Sequence, residues 1–223
     1  MNQKSLLIVE SPTKVKTIQQ HLGKEYDVIS CVGHVKDLPK NDLGIDLEND
    51  FKIKLAVLPD KKDFIAELRK KSKTADRVLV ATDPDREGEA IASHLATEIP
   101  EEKLDRVQFT EITKAGINEG INNVRDINHD LVAAQTARRV IDRLVGYKVS
   151  PVLWATLQSN MNFVSTNLSA GRVQSAAVKM IVDQDRLRAK FISTNYFDLK
   201  ADLTKGNGKE NFNATLVKVD GLK

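Results

Sequence analysis

The stretch RVLVATDPDREGEAI, residues 77–91, joins a run of apolar residues to a dense group of acids. Its first part, 77–82, has the composition of a buried strand, and residues 87–99 have the spacing of a helix. Four carboxylates fall within seven residues, at positions 83, 85, 87 and 89. Two unit charges about 5 Å apart repel by roughly 3 kcal/mol at an effective dielectric near 20. This crowding therefore calls for a compensating positive charge.

The rest of the first half repeats the alternation of strand and helix. Apolar runs predict further strands at 5–10, 27–30, 55–59 and 106–112. Helices are predicted after Ser11, which is a good N-cap before Pro12, and over 63–72 and 114–124. Such a pattern is typical of an α/β fold with a mainly parallel sheet flanked by helices.

The second half changes character. Helices are predicted over 131–147, over 150–157 with Ser150 as its cap, and over 169–191 with Ser169 as its cap. The segment 159–167 is polar and predicts a loop. Two alternating segments, 195–203 and 214–219, predict antiparallel strands. We therefore expect three parts: an α/β domain over 1–126, a mostly helical region over 127–192, and the start of a β region over 193–223.

Composition and charge narrow the class of protein. The chain has 41% hydrophobic and 29% charged residues and no apolar run long enough for a membrane span, and the apolar run in MNQKSLLIVESP is too short for a signal peptide. Its single Cys31 excludes an internal disulfide and a cysteine-based zinc cluster. The net charge is +3, but residues 129–191 alone carry +5. We expect a cytoplasmic protein whose basic part contacts a polyanion.

The acids gather where a parallel sheet usually binds ligands. Glu10 ends one predicted strand, and Asp83 and Asp85 follow another, with Glu87 at the start of the next helix. If the two strands are neighbours, these carboxylates meet at the carboxyl edge of the sheet. Mg²⁺ typically binds one or two carboxylates together with waters and phosphate. The alternative is that the acids cap a helix and face solvent.

Six segments, in this order, resemble the N-terminal part of bacterial type IA DNA topoisomerases over residues 5–190. The segments are LLIVESPTKVKTI, CVGHVKDLP, ATDPDREGEAIASHL, FTEITK, ARRVIDRLVGYKVSPVLW and LSAGRVQSAAV. The glutamate followed by the DxDxE pattern is that of the TOPRIM domain, a Rossmann-like module also found in primases, type II topoisomerases and some nucleases. The last two segments narrow the resemblance to type IA.

The resemblance implies a magnesium-dependent, ATP-independent reaction. In this family a tyrosine attacks one DNA strand and forms a 5′-phosphotyrosyl bond, the other strand passes through, and the break is resealed. Glu10 matches the residue that manages the proton of the 3′-hydroxyl leaving group, and Lys14 matches the lysine near the scissile phosphate. Asp83, Asp85 and Glu87 match the Mg²⁺-binding acids, with Glu10 beside the metal.

The same resemblance implies residues that contact a single DNA strand. His34 lies in a segment that lines the site, and further contacts come from Arg138, Arg139, Asp142, Tyr147, Trp154, Ser169, Ala170, Gly171, Arg172, Val173 and Gln174. Arg138 and Asp142 could instead form a surface ion pair. Arg139 and Arg143 have like charges four residues apart, which a shared phosphate would relieve. Tyr147 and Trp154 could stack on bases or pack in a core.

The chain departs from the family in one decisive respect. None of its tyrosines, Tyr26, Tyr147 and Tyr196, stands in the family's Tyr-x-Arg-Thr-Asp-Ser setting. We therefore expect a truncated, monomeric piece of a topoisomerase that acts near the nucleoid and is inactive alone. Two alternatives stay open: a TOPRIM primase or nuclease with the same acids, and a DNA-binding module without catalysis.

Overall fold

A four-stranded parallel sheet forms the centre of the first part of the chain. The computed structural model describes residues 4–157, 168–206, 208 and 210–218, and these fall into two compact units, Met1–Arg172 and Val173–Lys223. The strands of the first unit are β1 (Ser5–Val9), β2 (Tyr26–Ser30), β3 (Lys36–Asp37), β4 (Ile45–Asp46), β5 (Lys52–Ile53), β6 (Ala56–Val57), β7 (Val78–Ala81) and β8 (Leu104–Arg106). Its helices are α1 (Pro12–Leu22), α2 (Lys62–Thr74), α3 (Arg86–Ala96), α4 (Lys114–Asn122) and α5 (His129–Leu157).

The order of the strands is β2-β1-β7-β8, and all three pairs are parallel. In the register of the sheet, Val9 lies between Ser30 and Ala81, so β1, β2 and β7 end at the same edge. The predicted α/β class with a mainly parallel sheet is therefore confirmed. The adjacency of β1 and β7, which the candidate site requires, is also present.

Alternate residues of each central strand enter opposite layers of the core. Leu6 and Ile8 of β1 pack in a cluster with α2 and α3, whereas Leu7 and Val9 pack with α1 and α4. This follows from the two-residue period of a strand buried on both faces. The helices therefore cover both sides of the sheet, and the residues that follow β1 and β7, Glu10 and Asp83, are partly exposed.

A small irregular segment follows β2 and packs against α5. Its paired strands are β3 with β6 and β4 with β5, both antiparallel. Leu38 and Ile45 of this segment are buried with Val140 of α5. The contact joins α5 to the α/β part of the unit, although the sequence placed the boundary of the first domain at residue 126. The three predicted domains remain a prediction.

The helix α5 corrects one expectation. The sequence predicts two helices with Ser150 as the cap of the second, but the structure has one continuous helix that contains Pro151. Ser150 is buried inside it, and its hydroxyl accepts a hydrogen bond from the N–H of Ala170 at 2.9 Å. From the sequence alone, a serine whose hydroxyl binds a distant backbone N–H cannot be distinguished from a serine that caps a helix. The predicted loop at 159–167 lies outside the described residues.

Other boundaries shift by a few residues. The strand predicted at 55–59 shrinks to Ala56–Val57. The strand predicted over 106–112 is wrong except at Arg106, because β8 is Leu104–Arg106 and residues 107–112 leave the sheet as irregular chain. The helix predicted from Ser169 begins at Arg172. The shifts at 55–59 and after Ser169 lie at element ends, where local sequence signals are weakest.

The second unit contains most of helix α6 (Arg172–Lys190) and an antiparallel pair, β9 (Lys200–Thr204) and β10 (Asn211–Thr215). The pair confirms the predicted antiparallel strands, at somewhat different bounds. None of the residues of α6 is buried. Within the part of the chain that the structure describes, no helix has the length and apolar character needed to cross a membrane.

Candidate active site at the carboxyl edge of the sheet

Glu10 follows β1 directly, at the point where α1 begins. The Ser11 side chain caps this helix by accepting a hydrogen bond from the N–H of Thr13 at 3.3 Å. The helix then places Lys14 one turn beyond Glu10, and its ammonium forms an ion pair with the carboxylate of Asp83, which follows β7. Three of the residues predicted from the sequence therefore come together at one edge of the sheet.

The turn from β7 into α3 is held by several local bonds. Asp85 caps α3, its Oδ1 accepting a hydrogen bond from the N–H of Gly88 at 2.8 Å. The hydroxyl of Thr82 donates to the carbonyl of Gly88 at 2.6 Å. A Cβ at Gly88 would lie 2.2 Å from the carbonyl oxygen of Asp83, so no other residue fits there without moving the backbone. The cap that the sequence offered as an alternative role for these acids is thus real for Asp85.

Charge at this edge is only partly balanced. Burial raises the pKa of Glu10, and the negative charges of Asp83 and Asp85 raise it further, while Lys14 acts in the opposite direction. The net pKa lies above the ordinary value of a glutamate. One lysine therefore does not offset the repulsion among the three carboxylates.

The donor set suits a hard divalent cation, although the described residues contain no ready-made cage. Among residues 4–157, 168–206, 208 and 210–218, no three His, Cys, Asp or Glu side chains are arranged to hold a metal. Mg²⁺ needs only one or two protein carboxylates when waters and a phosphate complete its shell. Glu10 and Asp83 offer such oxygens, and the negative charges of Asp83 and Asp85 add to the effect of burial in raising the pKa of Glu10. The residues fit Mg²⁺ bound together with a phosphate.

Glu87 points toward α5 rather than toward Glu10. Its Oε2 lies 3.2 Å from Nε2 of His34 and accepts a hydrogen bond from the amide of Gln135 at 3.2 Å. A guanidinium nitrogen of Arg138 lies 3.8 Å from Oε1 of the same carboxylate. Glu87 therefore links two predicted groups, the acids and the basic helix, and its role as a metal ligand remains a prediction.

A cavity of about 290 Å³ opens beside Glu87. It is lined by both apolar and charged side chains: His34, Lys36, Asp37, Ile53, Leu55, Glu87, His94, Gln135, Arg138, Arg139 and Asp142. Four of the predicted DNA-contacting residues belong to this lining. A cavity with apolar walls and paired charges can accept a flat polar group such as a base.

The arginines of α5 have protein partners that the sequence did not reveal. Nε of Arg139 donates to Oδ1 of Asp37 at 2.8 Å, with a second bond between the same side chains. Arg143 donates to the carbonyl of Pro39 at 2.8 Å, and the hydroxyl of Tyr147 donates to the carbonyl of Lys40 at 2.9 Å. The like charges of Arg139 and Arg143 are therefore separated onto different acceptors, and no shared phosphate is needed to relieve them.

Asp142 joins two arginines of the predicted interface. It pairs with Arg138 at 3.8 Å, as the spacing of four residues predicts, and its Oδ1 accepts a hydrogen bond from Nε of Arg172 at 2.7 Å. The bond from Arg172 lowers the pKa of Asp142. Arg172 is thus brought to α5 from a position thirty residues later, a contact that no local pattern signals.

The remaining predicted contacts lie around the start of α6. Ser169, Ala170 and Gly171 precede the helix, and Val173 and Gln174 follow Arg172 in its first turn. The indole N–H of Trp154 donates to the carbonyl of Leu168 at 2.5 Å. The role of Ser169–Gln174 in binding phosphate remains a prediction.

Sequence reasoning missed the most deeply buried ionic group of the unit. Glu89, fully buried, accepts hydrogen bonds from Arg106 and Arg125 and from the N–H of Asn128 at 2.7 Å. Burial would raise the pKa of Glu89, but the hydrogen bonds from Asn128 and from the arginines outweigh it and hold the pKa below the usual value. An arginine within a predicted apolar strand was the available signal.

His94 provides a prediction about pH. Burial lowers its pKa to about 4, and the charges of His34 and Lys36 act in the same direction. Between about pH 4 and 6.5 the unfolded chain therefore binds more protons than the folded chain, so stability falls as the pH drops through this window. In His94→Leu, the loss of unfolding free energy between the higher and the lower pH should be smaller by on the order of 2 kcal/mol. Urea unfolding at pH 4.5 and 7.0 measures it.

The control for this prediction is His129→Leu, which changes an exposed histidine at the start of α5. It should leave the difference in unfolding free energy between the two pH values near that of the unchanged chain. An equal pH dependence in His94→Leu and in the unchanged chain would contradict the prediction.

Comparison with known proteins agrees with the fold and with the arrangement of acids at the carboxyl edge of the sheet. Residues 5–112 match the family model of the Toprim domain, and residues 126–220 match a model described as DNA topoisomerase. The chain is also similar to the structure of full-length topoisomerase I from Thermotoga maritima in a monoclinic crystal form. The sequence identity is 41%, the match covers 98% of this chain, and the TM-score is 0.74. The chain spans 35% of the length of the Thermotoga protein.

The two family models follow one another along the chain and leave only a short connection between them. The first ends before α4, and the second begins before α5, the helix that carries Arg138 and Asp142. The succession of these two models, together with the Thermotoga structure that matches nearly the whole chain at 41% identity, shows that the chain belongs to the bacterial type IA DNA topoisomerases.

Proposed function

We propose that this chain is the part of a type IA topoisomerase that binds Mg²⁺ and holds one strand of DNA near the position of cleavage. The whole protein would relax negatively supercoiled DNA by cutting one strand, passing the other and resealing the break. It would need no ATP and would work as a monomer in the cytoplasm. The observation that carries the proposal is the meeting of Glu10, Lys14 and Asp83 at the ends of two adjacent parallel strands.

The acids and the lysine have complementary roles in this proposal. Asp83 and Asp85, with Glu10 beside them, would hold the metal, which when bound neutralises negative charge near the phosphate. Lys14 would stabilise the charge that develops on the scissile phosphate. Glu10 would exchange a proton with the 3′-hydroxyl, and its raised pKa suits that task because it shortens the gap to neutral pH.

The neighbouring helix supplies the surface for the DNA strand. Glu87 lies between the acids and α5, and the cavity beside it is lined by Arg138 and Arg139. Guanidinium groups bind phosphates through paired hydrogen bonds, and the cavity walls can enclose an unpaired base. Arg172, held next to Arg138 by Asp142, extends the same positive surface. We therefore assign single-stranded DNA, bound along α5, as the substrate.

Calorimetric titration with Mg²⁺ tests the metal part of the proposal. In the presence of a short single-stranded oligonucleotide, the chain should release or absorb heat on binding Mg²⁺, and D83N/D85N should show none. The matched control is D76N/E102Q, because these exposed acids precede β7 and β8 at the opposite edge of the sheet. Wild-type heat in D83N/D85N would overturn the assignment.

The fate of the oligonucleotide separates the alternatives. None of Tyr26, Tyr147 and Tyr196 stands in the sequence setting of the family's nucleophile, so the chain alone should bind a labelled strand and leave it intact. Nicking or extension of the strand in the presence of Mg²⁺ would indicate a nuclease or primase instead. Strand binding that is unaffected by Mg²⁺ and by D83N/D85N would indicate a binding module without catalysis.

A further inference from the structure

Arg106 lies under the turn that carries the candidate metal ligands. Its side chain is 1% exposed, and its guanidinium uses all three nitrogens as donors. Nε and one terminal nitrogen donate to the carboxylate of Glu89 at 3.2 and 2.9 Å. The remaining donations go to backbone carbonyls, and these carbonyls belong mainly to the end of β7 and to the turn after it.

The carbonyls that Arg106 binds are those of Val80, Thr82 and Asp83, at 3.1, 2.9 and 3.1 Å. A fourth bond, of 2.5 Å, goes to the carbonyl of Val107. The carbonyl of Val80, inside β7, also accepts a hydrogen bond from the N–H of Val107 at 3.0 Å. Thr82 and Asp83 lie beyond the end of β7, where the strand ladder no longer supplies partners for their carbonyl groups. One rigid fork therefore fixes the backbone of β7 and of the first acid in the turn.

Glu89 holds Arg106 in place from the other side and is shared with Arg125. The Glu89 carboxylate accepts from Arg106 and also from Arg125, at 2.8 Å, and from the N–H of Asn128. Arg125 contacts the same carboxylate but, among its hydrogen bonds in the described residues, none reaches the turn between β7 and α3. Loss of either arginine would therefore remove a partner of Glu89, while only the loss of Arg106 would also remove the bonds to the carbonyls of the turn.

We propose that Arg106 is a positioning residue for the metal and phosphate site: it fixes the backbone at Thr82 and Asp83 so that the carboxylates of Asp83 and Asp85 face their ligand. The inference rests on the function proposed above. The positioning role requires an arginine, because a planar guanidinium reaches several acceptors at fixed angles. A lysine ammonium is a single point charge, which can pair with Glu89 but cannot reach all of the carbonyls. Arg106 need not touch the substrate.

The test compares two substitutions that are alike in chemistry. Arg106→Lys and Arg125→Lys each replace one guanidinium beside Glu89 by an ammonium. The probe is Mn²⁺, which prefers the same oxygen ligands as Mg²⁺. The dissociation constant comes from the EPR signal of free Mn²⁺, with Mg²⁺ as competitor, in the presence of a single-stranded oligonucleotide. We expect Arg106→Lys to weaken binding at least tenfold and Arg125→Lys to change it less than twofold.

The readouts separate the possible failures. Equal Mn²⁺ affinity in Arg106→Lys and the unchanged chain would overturn the positioning role, as would an equal loss in both lysine variants, which would point to Glu89 alone. If the unchanged chain binds neither Mn²⁺ nor Mg²⁺, the proposed function fails before the positioning role is addressed.

A second variant covers the case in which Arg106→Lys does not fold. The double substitution E89L/R106M replaces both members of the buried pair with apolar side chains of similar size, a change that proteins often tolerate. It keeps the packing and removes every bond to the carbonyls. Weakened Mn²⁺ binding by a folded E89L/R106M chain supports the proposal, and wild-type binding overturns it.

Discussion

Glu89→Ala lowers the free energy of unfolding by about 3–5 kcal/mol, because it leaves the buried guanidinium of Arg106 without its counter-ion. Arg106 is 1% exposed and Glu89 is fully buried, so water cannot replace the lost carboxylate without opening the core. The backbone N–H of Asn128 loses the same acceptor, and so does the guanidinium of Arg125. Urea unfolding at pH 7, followed by circular dichroism, measures the change.

The control for this prediction is Glu67→Ala. Glu67 also forms an ion pair, with Lys71 four residues later, but unlike Glu89 its side chain is 56% exposed. Exposed pairs contribute about 0–1 kcal/mol, so the unfolding curve should scarcely move. A loss of less than about 1 kcal/mol in Glu89→Ala would show that Arg106 finds other partners and that the buried group is not a central support of the fold.

Gly88→Ala is expected to destabilise the chain by about 1–3 kcal/mol and to weaken Mg²⁺ binding roughly tenfold. The added Cβ would lie 2.2 Å from the carbonyl oxygen of Asp83 and 2.8 Å from its nitrogen. Both atoms belong to the backbone, so relief requires movement of the turn rather than of a flexible side chain. That turn carries Asp83 and presents it to Lys14. Urea unfolding and the Mg²⁺ titration described above measure the two effects.

Gly146→Ala is the matched control, because it makes the same substitution within a helix. Apart from the adjacent backbone of α5 itself, no atom of the described residues lies within 4 Å of the position of a Cβ at Gly146. Alanine is favoured over glycine inside helices by about 1 kcal/mol, so this variant should be slightly more stable than the unchanged chain. If Gly88→Ala behaved in the same way, the close approach between α3 and Asp83 would not constrain the turn.

Local patterns were sufficient for the α/β unit. The apolar runs at β1, β2 and β7, alternating with predicted helices, predicted the parallel sheet, and the continuous apolar run of β1 is buried between both layers of helices, as a buried strand should be. These signals are strong because the strands are covered on both sides, so almost every residue in them must be apolar. The prediction that Glu10 and Asp83 meet at one edge followed from the same sheet, once β1 and β7 were taken as neighbours.

Local patterns did not predict the contacts of the basic helix α5. Its sequence predicted arginines available to a phosphate, but Arg139 is paired with Asp37, and Arg143 binds the carbonyl of Pro39. The partners lie about a hundred residues earlier in the chain. Ser150 and Pro151 resemble a helix start, yet α5 runs through both. In each case a distant group supplies the energy that decides the local structure.

The sequence by itself determined the class of fold, the edge of the sheet where the acids gather, and the family, because these depend on periodicity and on residue types at fixed spacing. Only the tertiary structure decided the contacts of charges with groups far away in the chain. It turned Glu87 toward α5, placed Arg172 on Asp142, and buried Glu89 with Arg106 under the acidic turn. The physical reason is that an ion pair is a short-range contact between groups that may be far apart in the chain, and no sequence period records it.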